Sequence, residues 1–222
     1  KFPLGRPNWE LAGVIFTDNV LPYEKMKLRM LNGAHSMIAY IGFHCGYNYV
    51  YNVMSDKNLK FLVERHMITA SKTLETICSI DYSKDAKSLI KRFNNKALKH
   101  ETLQIAMDGS QKIPQRILFP LEDAYKSKID YRPFTFAMAA WLRHVSGASH
   151  DCKTYYVKDP LAQKLSKLNF TSNPEQLSKE LYNLGLLTPS LHKNKLIWNE
   201  IFSILQDMLS RPMTEVISSE VK

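Results

Sequence analysis

The chain reads as a mainly helical domain, and three observations carry that reading. Apolar residues recur at helical spacing through most of its 222 residues. Acidic, amide or proline punctuation stands where helices begin, at Pro22, Ser55-Asp56, Asp81, Asp159-Pro160 and Asn173-Pro174. There are only eight glycines, and no β-rich repeat of short alternating segments occurs.

Residues 1–21, with Pro3, Pro7 and the short apolar run Leu11 to Thr17, read as an extended lead-in or short strand. Pro22 and Glu24 suit a first helical turn, and the pattern runs from 22 or 23 to near Val53, with a kink expected at Gly42 or Gly46. Those two glycines, spaced GxxxG, read as a close helix contact. Asp56 caps a second helix from Lys57 to about Thr76, and a third spans Asp81 to Arg92. Leu98 to Ala106 restarts the pattern. Asp108-Gly109-Ser110 is a turn, and helix resumes from Ile113 and Pro114 to about Tyr125.

Pro133 to Val145 is apolar nearly all round and so belongs in the core. Residues 147–156 are irregular. Asp159-Pro160 opens a helix to about Leu168, Asn173-Pro174 opens one ending at Gly185, and the last runs from Leu191 to Leu209. Residues 22–212 thus form the helical domain, and 213–222 a frayed tail.

Hydrophobic residues make up 45% and charged residues 23%, enough apolar content for a real core. No apolar run approaches a membrane span, and the N-terminus lacks a signal-peptide pattern. Cys45, Cys78 and Cys152 are too scattered for a disulfide framework and suit reduced thiols in the cytosol. The formal charge of +9 allows three readings: a solvated lysine-rich surface, steering of a small anion, or a basic helical module for nucleic acid. Dispersal of the cations, with no block of five or six together, favours the first.

Lys27, Asn32 and His35 stand at i, i+5 and i+8. On an α-helix they fall at about 0°, 140° and 80°, on one side, with a rise of roughly 12 Å. A base, an amide and an imidazole on one wall suit a short polyhydroxylated carbon chain. Singly, each has a plainer reading: a solvated surface lysine, a helix asparagine bonded to backbone, a satisfied buried histidine. No His/Cys/Glu set shows zinc spacing, and His35 and His44 point to opposite sides of one helix, so no metal is expected.

Pro22-Tyr23-Glu24, Lys27, Arg29, Leu31-Asn32 and His35-Ser36 resemble the signature helix of the mannitol dehydrogenase family, metal-independent NAD-linked dehydrogenases of polyols and sugar acids. Trp9-Glu10, Gly13-Val14 and Asp18 continue the resemblance upstream. Ala39 to Gly42, Arg92-Phe93, the block Gln104 to Arg116 and Ala139-Ala140-Trp141 continue it downstream. It implies the helical C-terminal substrate domain, of the 6-phosphogluconate-dehydrogenase-like type. Lys27 would be the general acid/base, Asn32 the donor to the reacting oxygen, and His35 the ligand of a neighbouring hydroxyl. Lys112 would reach the distal part of the substrate.

An ordinary lysine, with a pKa near 10.4, must be depressed by its surroundings to accept a proton at neutral pH. The mannitol-oxidising branch places an arginine where this sequence has Gln104. The block resembles instead the branch interconverting D-mannonate and D-fructuronate. Mannitol, arabinitol and altronate remain alternative substrates. A sugar acid needs cations for its carboxylate, and Lys112 and Arg116 are candidates. No GxGxxG is present, so NAD is expected to bind a Rossmann domain outside this chain. That domain and a small sugar acid or polyol are the expected partners; nucleic acid and membrane are not. Arg29 projects away from His35, toward an internal salt bridge.

Overall fold

The computed structural model describes residues 2–78, 80–148 and 154–222. Among them the helices are α1 (Leu21–Met26), α2 (Gly33–His44), α3 (Val50–Ser55), α4 (Lys57–Lys72), α5 (Tyr82–Phe93), α6 (Thr102–Ala106) and α7 (Gly109–Ile113). They continue with α8 (Phe119–Lys126), α9 (Arg132–Val145), α10 (Ala162–Leu165), α11 (Pro174–Asn183), α12 (Pro189–His192), α13 (Lys195–Ser210) and α14 (Met213–Glu220). Two π-helical turns interrupt the series, Lys27–Asn32 between α1 and α2, and Pro114–Leu118 between α7 and α8. Only isolated β-bridges occur among the described residues, Tyr49 with Glu101 and Ala148 with Thr154.

Helix α9 is the axis of the core. Every residue from Pro133 to Val145 is buried, as an all-round apolar helix requires. It packs against α13, α2 and α4. Trp141, Trp198, Tyr40, Phe134 and Phe136 are the largest fully enclosed side chains. Two polar side chains of α9 find partners: Thr135 Oγ1 donates to Glu200 at 2.5 Å, and Arg143 Nε donates to the Met208 carbonyl at 2.8 Å.

The helix starts follow local chemistry. The Asp56 carboxylate accepts from the amides of Asn58 and Leu59, Asp81 from Ser83 and Lys84, and Asn173 from Gln176. Gly185, at φ +77°, closes α11.

Four expectations are corrected. Leu11 to Thr17 forms no strand, because no neighbouring strand offers backbone partners. Trp9–Ala12 is a single 3-10 turn closed by Gly13, and residues 2–20 bury nothing. The long first helix ends at His44, where Gly46 takes a positive φ, and restarts at Val50. Of the two glycines, Gly42 makes the close contact: a Cβ there would lie 2.4 Å from Val53 Cγ2. The helix opened by Asp159-Pro160 shrinks to α10, because the Asp159 carboxylate accepts from Ser110 N at 2.8 Å and Ser110 Oγ at 2.6 Å, as well as from Leu161 N.

Finally, 213–222 is no frayed tail. Met213, Val216 and Ile217 of α14 are buried, and Glu220 pairs with Arg132 of α9 at 2.7 Å and Arg65 of α4 at 3.4 Å. The i, i+3, i+4 spacing of those three apolar residues was the available signal.

Candidate active site

The segment Lys27 to Ser36 presents one accessible edge and one buried face. Arg29, Met30, Gly33, Ala34 and Ser36 are buried, whereas Lys27 is exposed and Asn32 and His35 are half-buried. Lys27, Asn32 and His35 therefore lie along the accessible edge. The π-helical turn is an unforeseen feature. Bonding of i to i+5 brings residues five apart nearly above one another, so Asn32 stacks closer over Lys27 than a regular α-turn would put it.

The opposite face anchors this turn. Arg29 Nη2 meets Asp123 at 2.5 Å, and its Nη1 donates to Thr73 O and Thr73 Oγ1, each at 2.8 Å. The internal salt bridge expected of Arg29 is present. Gly33 allows a close approach: a Cβ there would stand 2.9 Å from His66 Nε2 and 3.0 Å from the Arg116 carbonyl. The second π-turn, which carries Arg116, packs directly on the first.

Lys27 forms no hydrogen bond or ion pair with a described residue, and Glu24 does not pair with it. Asn32 and His35 likewise make no side-chain hydrogen bond to a described residue. None of the three lines the cavity of about 490 Å³ between α4 and α5, which is walled by Met67, Ile68, Tyr82 and Ile90 among others.

His35 is held by its neighbours. Its ring lies 4.5 Å from that of the buried Phe93 and 5.4 Å, edge to face, from that of His100. Burial, with the charges of His100, Arg92 and Arg116, pushes its pKa down to about 3, so it is a neutral imidazole at physiological pH. The segment bearing His100 is fixed to the end of α2. Val50 N donates to the His100 carbonyl at 3.0 Å, Thr102 N to Asn48 O at 2.9 Å, and Thr102 Oγ1 to Tyr47 O at 2.8 Å. Sequence spacing gave no access to His100, which the fold brings to His35 from α6's leading edge.

The other expected substrate ligands divide. Gln104 is exposed on α6. Lys112 Nζ donates to the carbonyls of Met107 at 2.5 Å and Ile105 at 3.4 Å, capping the end of α6, and burial lowers its pKa. Arg116 Nη1 donates to Ser36 Oγ at 3.2 Å, which directs it to the residue beside His35. The turn at Asp108-Gly109 works differently from expectation. Asp108 takes the positive φ of 55°, and Gly109 is needed for space, since a Cβ would lie 2.4 Å from Trp141 Nε1 and 2.8 Å from Tyr40 Oη.

Among the described residues no group of three His, Cys, Asp or Glu could hold a metal ion. Cys45 and Cys78 are free thiols, and Cys152 lies outside the described residues. No helix is long and apolar enough to cross a membrane. The described residues form no parallel sheet with a glycine-rich turn.

The histidines set an acid limit on the fold. Burial pushes His35 and His44 down to about 3, and His66 and His144 to about 4, against about 6.5 in an unfolded chain. Between those values the unfolded chain binds protons that the folded chain refuses. Stability is therefore whole above about pH 6.5 and declines as pH falls toward 4. The thermal midpoint should be level above neutrality and fall steadily below pH 6.5; a midpoint that is flat down to pH 4.5 would contradict this.

Comparison with known proteins places this geometry. The family model for the mannitol dehydrogenase C-terminal domain matches residues 19–209. The uncharacterized oxidoreductase YeiQ of Escherichia coli K12 is 40% identical over 184 residues, covering 83% of this chain and 38% of that protein. D-mannonate oxidoreductase of the same organism is 33% identical over 221 residues, covering 99% of this chain and 46% of the relative. The structure of Pseudomonas fluorescens mannitol 2-dehydrogenase, a ternary complex with NAD and D-mannitol, matches the whole chain with a TM-score of 0.80 at 26% identity, over 45% of its own length. The chain thus spans about half the length of these relatives. It belongs to the mannitol dehydrogenase family, whose C-terminal helical domain it forms.

Proposed function

We propose that this chain is the substrate-binding and catalytic half of an NAD-dependent oxidoreductase that interconverts D-mannonate and D-fructuronate, with Lys27 as general acid/base and no metal. The observation that carries this reading is the common accessible edge of Lys27, Asn32 and His35, within a chain 33% identical to D-mannonate oxidoreductase along nearly its whole length. Gln104, in place of the arginine of the mannitol-oxidising branch, favours the sugar acid.

In the oxidative direction Lys27 Nζ accepts the proton of the substrate's secondary hydroxyl. The Asn32 side-chain amide donates to that oxygen as negative charge develops on it, which stabilises the alkoxide without changing the charge of the donor. His35, kept neutral by its surroundings, offers one N–H and one lone pair to an adjacent hydroxyl. NAD, held by residues outside this chain, would supply the hydride acceptor. Exposure of Lys27 fits that division: the second half would cover the amine, and covering it favours the uncharged form.

The test is a substrate panel on the full-length protein. D-mannonate should be oxidised with a kcat/KM at least about ten-fold above mannitol, arabinitol and altronate, the scale of one well-made polar contact. Good rates on mannitol with none on D-mannonate would overturn the assignment. The isolated chain should turn over little of either; normal NAD-dependent activity from it would contradict the division into halves.

A further inference from the structure

The expected carboxylate ligands are partly engaged elsewhere. Lys112 Nζ is bonded to two backbone carbonyls. Beyond Arg116, the basic groups that act on His35 are Arg92, at the end of α5, and His100, at the lead into α6. Arg92 forms no hydrogen bond or ion pair with a described residue, and the His100 ring meets His35 alone among aromatic partners. Both are exposed. We propose that His100 and Arg92 form the carboxylate-binding subsite for a sugar acid whose neighbouring hydroxyl rests on His35.

The geometry favours this subsite in three ways. The imidazole rings of His35 and His100 touch edge to face, 5.4 Å between centroids, so a hydroxyl resting on His35 and a carboxylate on His100 would be immediate neighbours. His100 is fixed where it stands, because the Tyr49–Glu101 bridge and the Val50 N to His100 O bond tie its backbone to the end of α2. A ligand therefore meets a preorganised donor. The buried Phe93, next to Arg92 in the chain, has its ring 4.5 Å from that of His35, which ties the end of α5 to the site.

The charges agree with the geometry. Those acting on His35 are all basic, His100, Arg92 and Arg116, with no carboxylate among them. Asp85, two turns before Arg92 on α5, is the acidic group that feels Arg92, yet the two do not form an ion pair, and burial raises the Asp85 pKa. Arg92 and Arg116 form no ion pair with a described residue, and a bound carboxylate would supply the counter-anion. A guanidinium and an imidazole N–H meet the two carboxylate oxygens, while the neutral terminal carbinol of a polyol offers no charge for either.

This inference rests on the proposed function, and the experiment separates the two. In the full-length protein, His100→Ala and Arg92→Ala should each raise KM for D-mannonate on the order of ten-fold, as expected for a lost charge-assisted hydrogen bond. Each should leave kcat within a few-fold and move KM for mannitol far less than KM for D-mannonate. His100→Arg should restore acid affinity. Equal losses for acid and polyol, or no loss for either, would overturn the subsite while leaving the D-mannonate activity of the unmodified protein intact.

Should the unmodified protein turn over no sugar acid, the proposed function fails, and calorimetric titration with D-mannonate and mannitol decides the subsite. Preferential binding of the acid that both substitutions abolish supports it. Equal or absent binding overturns it.

Discussion

Replacing Lys27 with alanine in the full-length protein should lower kcat by about 100- to 10,000-fold, the range for removing a positioned general base. The same change should hardly move the melting temperature. Lys27 is exposed and has no partner among the described residues, and substitutions at such sites usually alter stability by less than about 0.5 kcal/mol. The contrast between lost turnover and kept stability is the signature of a chemical role. Retention of more than about a tenth of kcat would remove Lys27 from the proton-transfer step and with it the proposed mechanism. Circular dichroism and thermal melts alongside the kinetics complete the measurement.

The largest stability effect should come from Trp141→Ala. Trp141 is fully enclosed in α9, and its indole fills the space beside Gly109 and Tyr40. Truncating a buried tryptophan costs about 3–5 kcal/mol, because the cavity is only partly filled by relaxation. Native domains hold only about 5–15 kcal/mol in reserve. For a chain of this size the melting temperature should fall by roughly 6–20 °C. Indole Nε1 has no hydrogen-bond partner among the described residues, so the loss is one of packing and transfer. A shift of under 2 °C, which is about the effect of 1 kcal/mol, would mean that the core closes around the gap, contrary to the density of α9's surroundings.

The elements that sequence revealed are those whose cause is local. Asp56, Asp81 and Asn173 bond amides two or three residues ahead, so their caps are visible in a short window. The buried axis at Pro133–Val145 was equally plain from composition. The π-turn at Lys27–Asn32 was not, since a shift from i+4 to i+5 bonding leaves no compositional mark. Asp159 misled for a related reason: its capping carboxylate is shared with Ser110, a partner 49 positions away in the chain. Lys27, Asn32 and His35 lie within about two turns of helix and were legible together. The setting of His35 between Phe93 and His100 depends on tertiary packing of α5 and the start of α6, which spacing along the chain does not encode.

The π-turn also bears on how the chain tolerates changes of length. A widened turn holds one residue more than an α-helical path between the same ends, so deleting a single residue between Lys27 and Asn32 would let the helix close regularly and remain continuous. The extra residue is absorbed inside the turn, so both ends keep their places, and the amine and the amide would then stand four positions apart, about 40° around the axis, on the same edge. Deleting one residue from the regular stretch that follows, Gly33–His44, would instead turn everything before it by about 100°. A change of length is thus absorbed in the widened turn and propagated beyond it, and the place of a deletion matters more than its size.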